Sequence, residues 1–220
     1  MSFYVSITTI AHYKPALDVL MASLPPSWTN RYILVYQNEQ RNDYRVFADG
    51  HIEVTITNNC SDYGNWIGLH MLLSDGVVPP DSSFLCIHDT CQFVSGDRGA
   101  ELIQQIILDY PSHDIIWLCN TGQCNICILR KEAIDVGYSR YKDIATMTKQ
   151  ETIDYEWHHN DSRSPKSFPV RHVYLPIPVE PRGSRCVYNA ENERVVLFYP
   201  SISMEKYFFY ALERTHPLSP

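Results

Sequence analysis

Ser82-Ser83-Phe84-Leu85-Cys86-Ile87-His88-Asp89-Thr90-Cys91 is the stretch on which the reading of this chain turns. Four apolar residues, Phe84 to Ile87, run without interruption, the pattern of a buried strand, and the run ends abruptly in an imidazole and a carboxylate. In open α/β sheets ligands collect just beyond the carboxyl ends of the strands. His88 and Asp89 therefore stand where a phosphate-bound metal ion would be held. The plain alternative is a strand ending in a turn, with Asp89 capping a following helix.

Upstream, Phe3 to Ile10 is rich in β-branched and aromatic residues and predicts a first strand. Pro15 suits a first helical turn, and Leu17, Leu20, Met21 and Leu24 recur at helical spacing before Pro25-Pro26 ends the helix. Arg31 to Glu39 predicts a second strand and the alternating His51 to Asn59 a third. Strands joined through a helix in this way predict a parallel α/β sheet. Asn58 to Trp66 is then a polar turn containing Gly64, and it feeds a helical run through Ile67, Leu69, Leu72 and Leu73. Ser61 or Asp62 is expected to cap that helix, whose N-terminus would present N–H groups to a phosphate or ribose.

Downstream, Arg98 to Tyr110 carries Leu102, Ile103, Ile106 and Ile107 at helical spacing, with Pro111 closing the helix. Asp114 to Asn120 predicts a strand, and Cys124 to Glu132 begins as a strand and passes into a helix. From Tyr138 the periodicity weakens. That region is expected to be irregular, with short strands at Val170 to Leu175 and Arg194 to Tyr199 and a last helix at Met204 to Arg214. No linker-like stretch divides the chain, so residues 1–220 are expected to form one domain.

With 220 residues, 45% of them hydrophobic, the chain can bury a sizeable core. The first apolar run lacks a basic leader and is too short to cross a membrane, which predicts a cytoplasmic protein without a membrane span. A formal charge of −7 and the lack of a Lys/Arg cluster argue against nucleic acid as a partner. A nucleotide is still compatible with that charge if a divalent cation neutralises both sides, so this reading predicts metal dependence. Seven cysteines, an odd number spread through apolar segments, predict reduced, buried thiols. Cys124 and Cys127 have the spacing of a zinc pair, but on one strand they would point to opposite faces.

The whole pattern resembles a small GT-A type glycosyltransferase. The resemblance runs through Phe3 to Leu24, Arg31 to Glu39, the Asn58 to Trp66 turn with its helix, and the strand ending His88-Asp89-Thr90. It continues through Asn120 to Asn125 with Arg130-Lys131-Glu132, and through Ile153-Asp154-Tyr155-Glu156. Compact length makes it most similar to glycosyltransferase domains encoded by large algal viruses (chloroviruses), which would put it in host cytoplasm. The resemblance implies an α/β fold with a GT-A-like mixed, mainly parallel sheet flanked by helices. Residues 1–110 would be the nucleotide-sugar-binding half and 111–220 the acceptor-binding half.

It also implies transfer of a sugar from a nucleoside-diphosphate donor, expected to be a UDP-sugar, to a glycan or glycoprotein acceptor. Thr8, Thr9, His12 and Asn38 would embrace the nucleotide, with Asp62, Gly64 and Asn65 beside base and ribose. In the family's D-x-D element the last carboxylate holds a divalent ion, Mn2+ or Mg2+. Here His88 stands where the first acid is common, so Asp89 alone would hold the metal, with His158, His159 or His172 available to complete the shell. Asp154, or alternatively Glu156, would be the base that takes the proton from the acceptor hydroxyl. Trp117, Tyr155 and Trp157 are candidates for a sugar-stacking platform. Three alternatives are carried: a non-catalytic nucleotide-sugar-binding module, a nucleotidyltransferase, and one domain of a longer chain.

Overall fold

The structure, a computed structural model, describes residues 2–120, 126–158, 168–187 and 193–208; at positions 12, 149, 153, 156–158, 193 and 208 only the backbone is described. Twelve strands form two sheets among these residues. They are β1 (Phe3–Thr9), β2 (Tyr32–Tyr36), β3 (Asp43–Val46), β4 (Ile52–Thr55), β5 (Ser83–His88), β6 (Cys91–Phe93), β7 (Ile115–Trp117), β8 (Cys127–Leu129), β9 (His172–Tyr174), β10 (Glu180–Cys186), β11 (Glu193–Tyr199) and β12 (Met204–Phe208). Five helices accompany them: α1 (Lys14–Ser23), α2 (Gly64–Ser74), α3 (Gly96–Asp109), α4 (Lys131–Tyr141) and α5 (Lys149–His158).

The large sheet has the order β3-β4-β2-β1-β5-β8-β7-β9. β1 is parallel to both β2 and β5, β2 is parallel to β4, and β7 to β9, while β3 and β8 run against their neighbours. This is a mixed, mainly parallel α/β sheet of doubly wound, Rossmann-like type. Its central strands are apolar on both faces because helices cover both: Val5, Ile7, Ile33, Val35, Leu85 and Ile87 are all inaccessible or nearly so. From β1 the chain moves one way to β2 and β4, then α2 carries it back across to β5 on the other side. Right-handed crossovers in opposite directions place α1 and α2 on opposite faces. The strand order reverses between β1 and β5, and in such sheets the ligand crevice lies outside the carboxyl ends of the strands at that reversal.

Helix α2 is held to the sheet by close approach. A Cβ on Gly68 would stand 3.0 Å from Val35 Cγ1, and one on Gly137 of α4 would stand 2.0 Å from Trp66 Cε3. Arg130, ahead of α4, donates to the carbonyls of Tyr110 at 3.1 Å and Pro111 at 2.7 Å, so its guanidinium closes the end of α3. It therefore serves the packing of α3 against the sheet.

Several expectations require correction. Met204 to Phe208 is a strand, because pairing with β11 and β6 supplies hydrogen bonds that a helix would have to find in itself; 209–214 lie outside the described residues. The region after Tyr138 is more regular than expected, with α4, α5 and the β10-β11-β12-β6 sheet. Asp89 caps no helix, for β6 follows it, and α2 has no side-chain cap, since Ser61–Tyr63 form a 3-10 turn running into it. Of the cysteines, 60, 86, 91, 119 and 127 are buried, but Cys186 is exposed on β10; Cys124 lies outside the described residues. No helix among the described residues is long and apolar enough to cross a membrane.

Candidate functional site

The crevice at the ends of β1 and β5 gathers the largest share of the expected site residues. Thr8 lies beside His88 in register, and the Asp89 N–H donates to the Thr8 carbonyl at 3.2 Å, which fixes the turn leaving β5 against the end of β1. The Asp89 side chain is only 6% exposed. Burial pushes its carboxyl up to about 7, and the charge of Asp62 adds to that, against hydrogen bonds from the Thr9 hydroxyl and the N–H groups of Ile10 and Thr90. The Thr9 hydroxyl also lies 3.3 Å from the Ile10 carbonyl, so its single proton is shared between two acceptors. His88, likewise buried, has its Nδ1 2.7 Å from the Thr90 hydroxyl. The Thr8 hydroxyl is buried at the same strand end without a hydrogen-bond partner, an unusual state for an enclosed polar atom.

The charge of Asp62 reaches Asp89 from the turn ahead of α2, and that turn is built by Gln37, which the sequence did not single out. Gln37, buried just beyond β2, donates from Nε2 to the Ser61 carbonyl at 2.7 Å and accepts from the Cys60 N–H at 2.8 Å. Its amide thereby takes the role of a neighbouring strand and holds Ser61 at a φ of +54°. Gly64 is required here because a Cβ would come within 2.5 Å of Gln37 Cδ. Asn58 steadies the same turn from the other side, donating from Nδ2 to the Ile144 carbonyl at 2.7 Å.

Other expected contacts are drawn into structural work. Asn65 accepts from the Ser6 hydroxyl at 2.6 Å and donates to the Ile87 carbonyl at 3.3 Å, so its buried amide ties α2 to β1 and β5. Asn38 is an exposed turn residue with a φ of +61°, its N–H bonded to the Asn58 carbonyl at 3.0 Å. His12 sits in the 3-10 turn after β1, with its side chain outside the described residues. Trp117 is buried in the core and stacked on Tyr174 at 5.7 Å, which rules it out as an open sugar platform. His172 is exposed on β9, where its Nδ1 lies 3.2 Å from the Val170 carbonyl.

Asp154 lies on α5, half-buried, accepting from Gln150 Nε2 at 2.9 Å. Its helix begins with a reciprocal cap: the Thr148 N–H donates to the Glu151 carboxylate at 2.7 Å, and the Glu151 N–H to the Thr148 hydroxyl at 3.2 Å. Thr148-Lys149-Gln150-Glu151 carries that signature in plain sequence, and it was the signal for α5 that the reading missed. Tyr155 packs α5 onto the site's rim, its ring 5.9 Å from Tyr63 and 5.5 Å from Tyr141. The side chains of Glu156, Trp157 and His158, and His159 altogether, lie outside the described residues.

Lys206 is a second residue missed, because its segment was expected to be helical. On β12 it pairs with Cys91 of β6, two residues beyond Asp89, and it is 5% exposed. The Tyr207 N–H donates to the Thr90 carbonyl at 2.9 Å, which locks β12 to the turn that carries Asp89.

The described residues contain no group of three or more His, Cys, Asp and Glu side chains placed to hold a metal ion. Asp62 and Asp89 are two carboxylates whose like charges disfavour joint ionisation. Such a pair fits an ion that takes its remaining ligands from phosphate oxygens, as Mg2+ and Mn2+ commonly do in phosphate sites, and does not fit an all-protein cage.

Two other features compete for attention. Ser74, His70 and Asp135 form a surface relay, with Ser74 Oγ 3.2 Å from His70 Nε2 and His70 Nδ1 3.1 Å from Asp135. It lies at the carboxyl end of α2, where a helix offers carbonyls and no N–H donors for an oxyanion, so it lacks the main element of acyl-transfer chemistry. An open groove of about 490 Å³ over β3 and β4 is lined by Glu39, Arg41, Asp43, Tyr44 and Glu53, two strands from the switch point. Comparison with protein-family models and with curated protein sequences finds no match to this chain.

Proposed function

We propose that the chain is a glycosyltransferase that moves a sugar from a nucleoside-diphosphate donor, a UDP-sugar in the first instance, to a glycan or glycoprotein hydroxyl. One observation carries the reading. A buried carboxyl, Asp89, stands at the reversal of strand order in a mainly parallel sheet, with the charge of Asp62 acting on it and the unpartnered Thr8 hydroxyl at the adjoining strand end. A carboxyl kept near neutrality by burial and by a like charge gains most from a cation, and a cation so held attracts a diphosphate.

In this reading Asp62 and Asp89 are the residues that would hold a divalent ion, Mn2+ or Mg2+. When bound, that ion would offset the charge that builds on the departing diphosphate. The rest is done by the chain. The Thr8 hydroxyl has a hydrogen bond to give to donor oxygens, and the bonds from Ile10 and Thr90 hold Asp89 in one orientation. Asp154, or Glu156 on the same helix, takes the proton from the acceptor hydroxyl if configuration inverts. Tyr155, half-exposed at the rim, offers an aromatic face to a sugar ring.

Titration with a panel of nucleoside diphosphates and nucleotide sugars, with Mn2+ and in EDTA, tests the reading. The expected result is diphosphate-specific binding that strengthens with Mn2+, followed by sugar release or transfer; equal indifference to every nucleotide refutes it. A non-catalytic nucleotide-sugar-binding module is the second reading, favoured by the lack of a third metal ligand among the described residues. Tight donor binding with neither transfer nor donor hydrolysis distinguishes it.

A further inference from the structure

We propose that Gln37 is a positioning residue for the divalent ion: one buried residue that ties the turn carrying Asp62 to the strand end that holds Asp89, and so fixes how the two carboxylates are presented. This rests on the reading of Asp62 and Asp89 as the residues that would hold that ion.

The bonds of Gln37 run in two directions. Its main-chain N–H donates to the Thr9 carbonyl at 3.1 Å, and the residue before it on β1, Thr8, accepts from the Asp89 N–H at 3.2 Å. Gln37 and the turn after β5 are therefore fastened to the last two residues of the same strand. Its side chain reaches the other way. Nε2 donates to the Ser61 carbonyl at 2.7 Å and Oε1 accepts from the Cys60 N–H at 2.8 Å, so the amide grips the two residues immediately ahead of Asp62. On the far side of Asp62, Asn65 donates from Nδ2 to the Ile87 carbonyl at 3.3 Å, which sets the start of α2 against the end of β5.

The turn needs this grip. Ser61 has a φ of +54°, left-handed backbone that a residue with a Cβ adopts only against a steric penalty. Without the amide, the Cys60 N–H and the Ser61 carbonyl lose the partner that offsets the penalty, and relaxation of Ser61 redirects the next residue, Asp62. Gly64 completes the clamp, since a Cβ there would stand 2.5 Å from Gln37 Cδ and 2.6 Å from its Oε1. Mn2+ and Mg2+ bind oxygens at about 2.0–2.2 Å, with little tolerance for a displaced ligand. The described residues offer no group of three ligating side chains, so no further protein ligand compensates when one carboxylate moves. Groups that orient ligands in this way are worth roughly 10- to 100-fold in metal affinity.

The test uses the full chain and two titrations: Mn2+ alone, read by electron paramagnetic resonance, and Mn2+ in the presence of UDP. Gln37→Leu keeps most of the bulk and removes both amide bonds. It is expected to weaken Mn2+ binding by roughly 10- to 100-fold in both titrations. Gly64→Ala leaves Gln37 in place and displaces its amide; it is expected to weaken Mn2+ binding in the same direction, and to add nothing in a Gln37→Ala background. Arg130→Met controls for a loss of stability alone. It removes the bonds to the Tyr110 and Pro111 carbonyls at the end of α3 and is expected to keep Mn2+ affinity within a few fold. Wild-type Mn2+ affinity in folded Gln37→Leu overturns the proposal, and so does an equal loss in Arg130→Met. Where Gln37→Leu does not fold, wild-type affinity in Gly64→Ala overturns it as well. Failure of the wild type to bind Mn2+ in either titration removes the underlying reading of Asp62 and Asp89, and the role of Gln37 with it.

Discussion

Replacing Asp89 with Asn separates a functional carboxylate from a structural one through the pH dependence of folding. In the native state burial pushes the Asp89 carboxyl up to about 7, against 3.8 for an isolated aspartate. Because the folded value is raised, the folded protein binds this proton more tightly than the unfolded chain does. The favourable contribution is complete below about pH 4 and is lost as pH rises from there to about 7. A shift of about three units at about 1.4 kcal/mol each amounts to roughly 4 kcal/mol, an upper value for a single buried group. Asn has no charge to bury, but it is an imperfect acceptor for the bonds from Thr9, Ile10 and Thr90, at a pH-independent cost of about 1–2 kcal/mol.

Urea denaturation in EDTA at pH 4.5 and pH 8 therefore gives two numbers whose difference cancels that cost. Relative to wild type, Asp89→Asn is expected to gain roughly 3–4 kcal/mol on going from pH 4.5 to pH 8, and to be the more stable protein at pH 8. Adding Mn2+ and UDP should close most of that gap, since a ligand at about 100 times its Kd stabilises wild type by about 2.7 kcal/mol and should stabilise the variant less. A stability difference that is the same at both pH values refutes the argument from burial. A variant that is destabilised at pH 8 and still responds to Mn2+ and UDP would move the site elsewhere.

Gly64→Ala should destabilise the fold by about 1–3 kcal/mol in thermal or urea unfolding, because its methyl meets the Gln37 amide at 2.5 Å; the cost should shrink in a Gln37→Ala background. Thr148→Ala removes the reciprocal cap of α5 and should cost about 1 kcal/mol, and retention of full stability would mean that the cap contributes nothing. Asp154→Asn should leave donor affinity within a few fold and lower transfer by about two to four orders of magnitude, as measured by product formation under donor saturation. Transfer near the wild-type rate would shift the base to Glu156 or to a mechanism that uses none there, and loss of donor binding would place Asp154 among the nucleotide contacts.

The sequence by itself determined the elements whose signals are local. Phe84 to Ile87 could be read as a buried strand because helices cover both faces of the sheet, which leaves no polar position to break the run. The two prolines after Leu24 fixed the end of α1 through backbone chemistry alone, and the abrupt change from Ile87 to His88-Asp89 marked the strand end where the crevice forms. The site's outer parts were decided by tertiary structure. Gln37 reads as one polar residue among several at a strand end, and only the return of residues 60–64 to its amide makes it the clamp of the Asp62 turn. Asn65 looked like a ligand contact, but Ser6 and Ile87, 59 and 22 residues away, engage its amide. Met204 to Phe208 forms a hairpin with β11, but its other edge is completed only by tertiary structure. That second partner, β6, lies more than a hundred residues earlier, and a hydrogen-bonding pattern made at that separation leaves no period in the local sequence. The same long-range pairing sets Lys206 opposite Cys91, two residues beyond Asp89, a neighbourhood that was invisible in the order of residues.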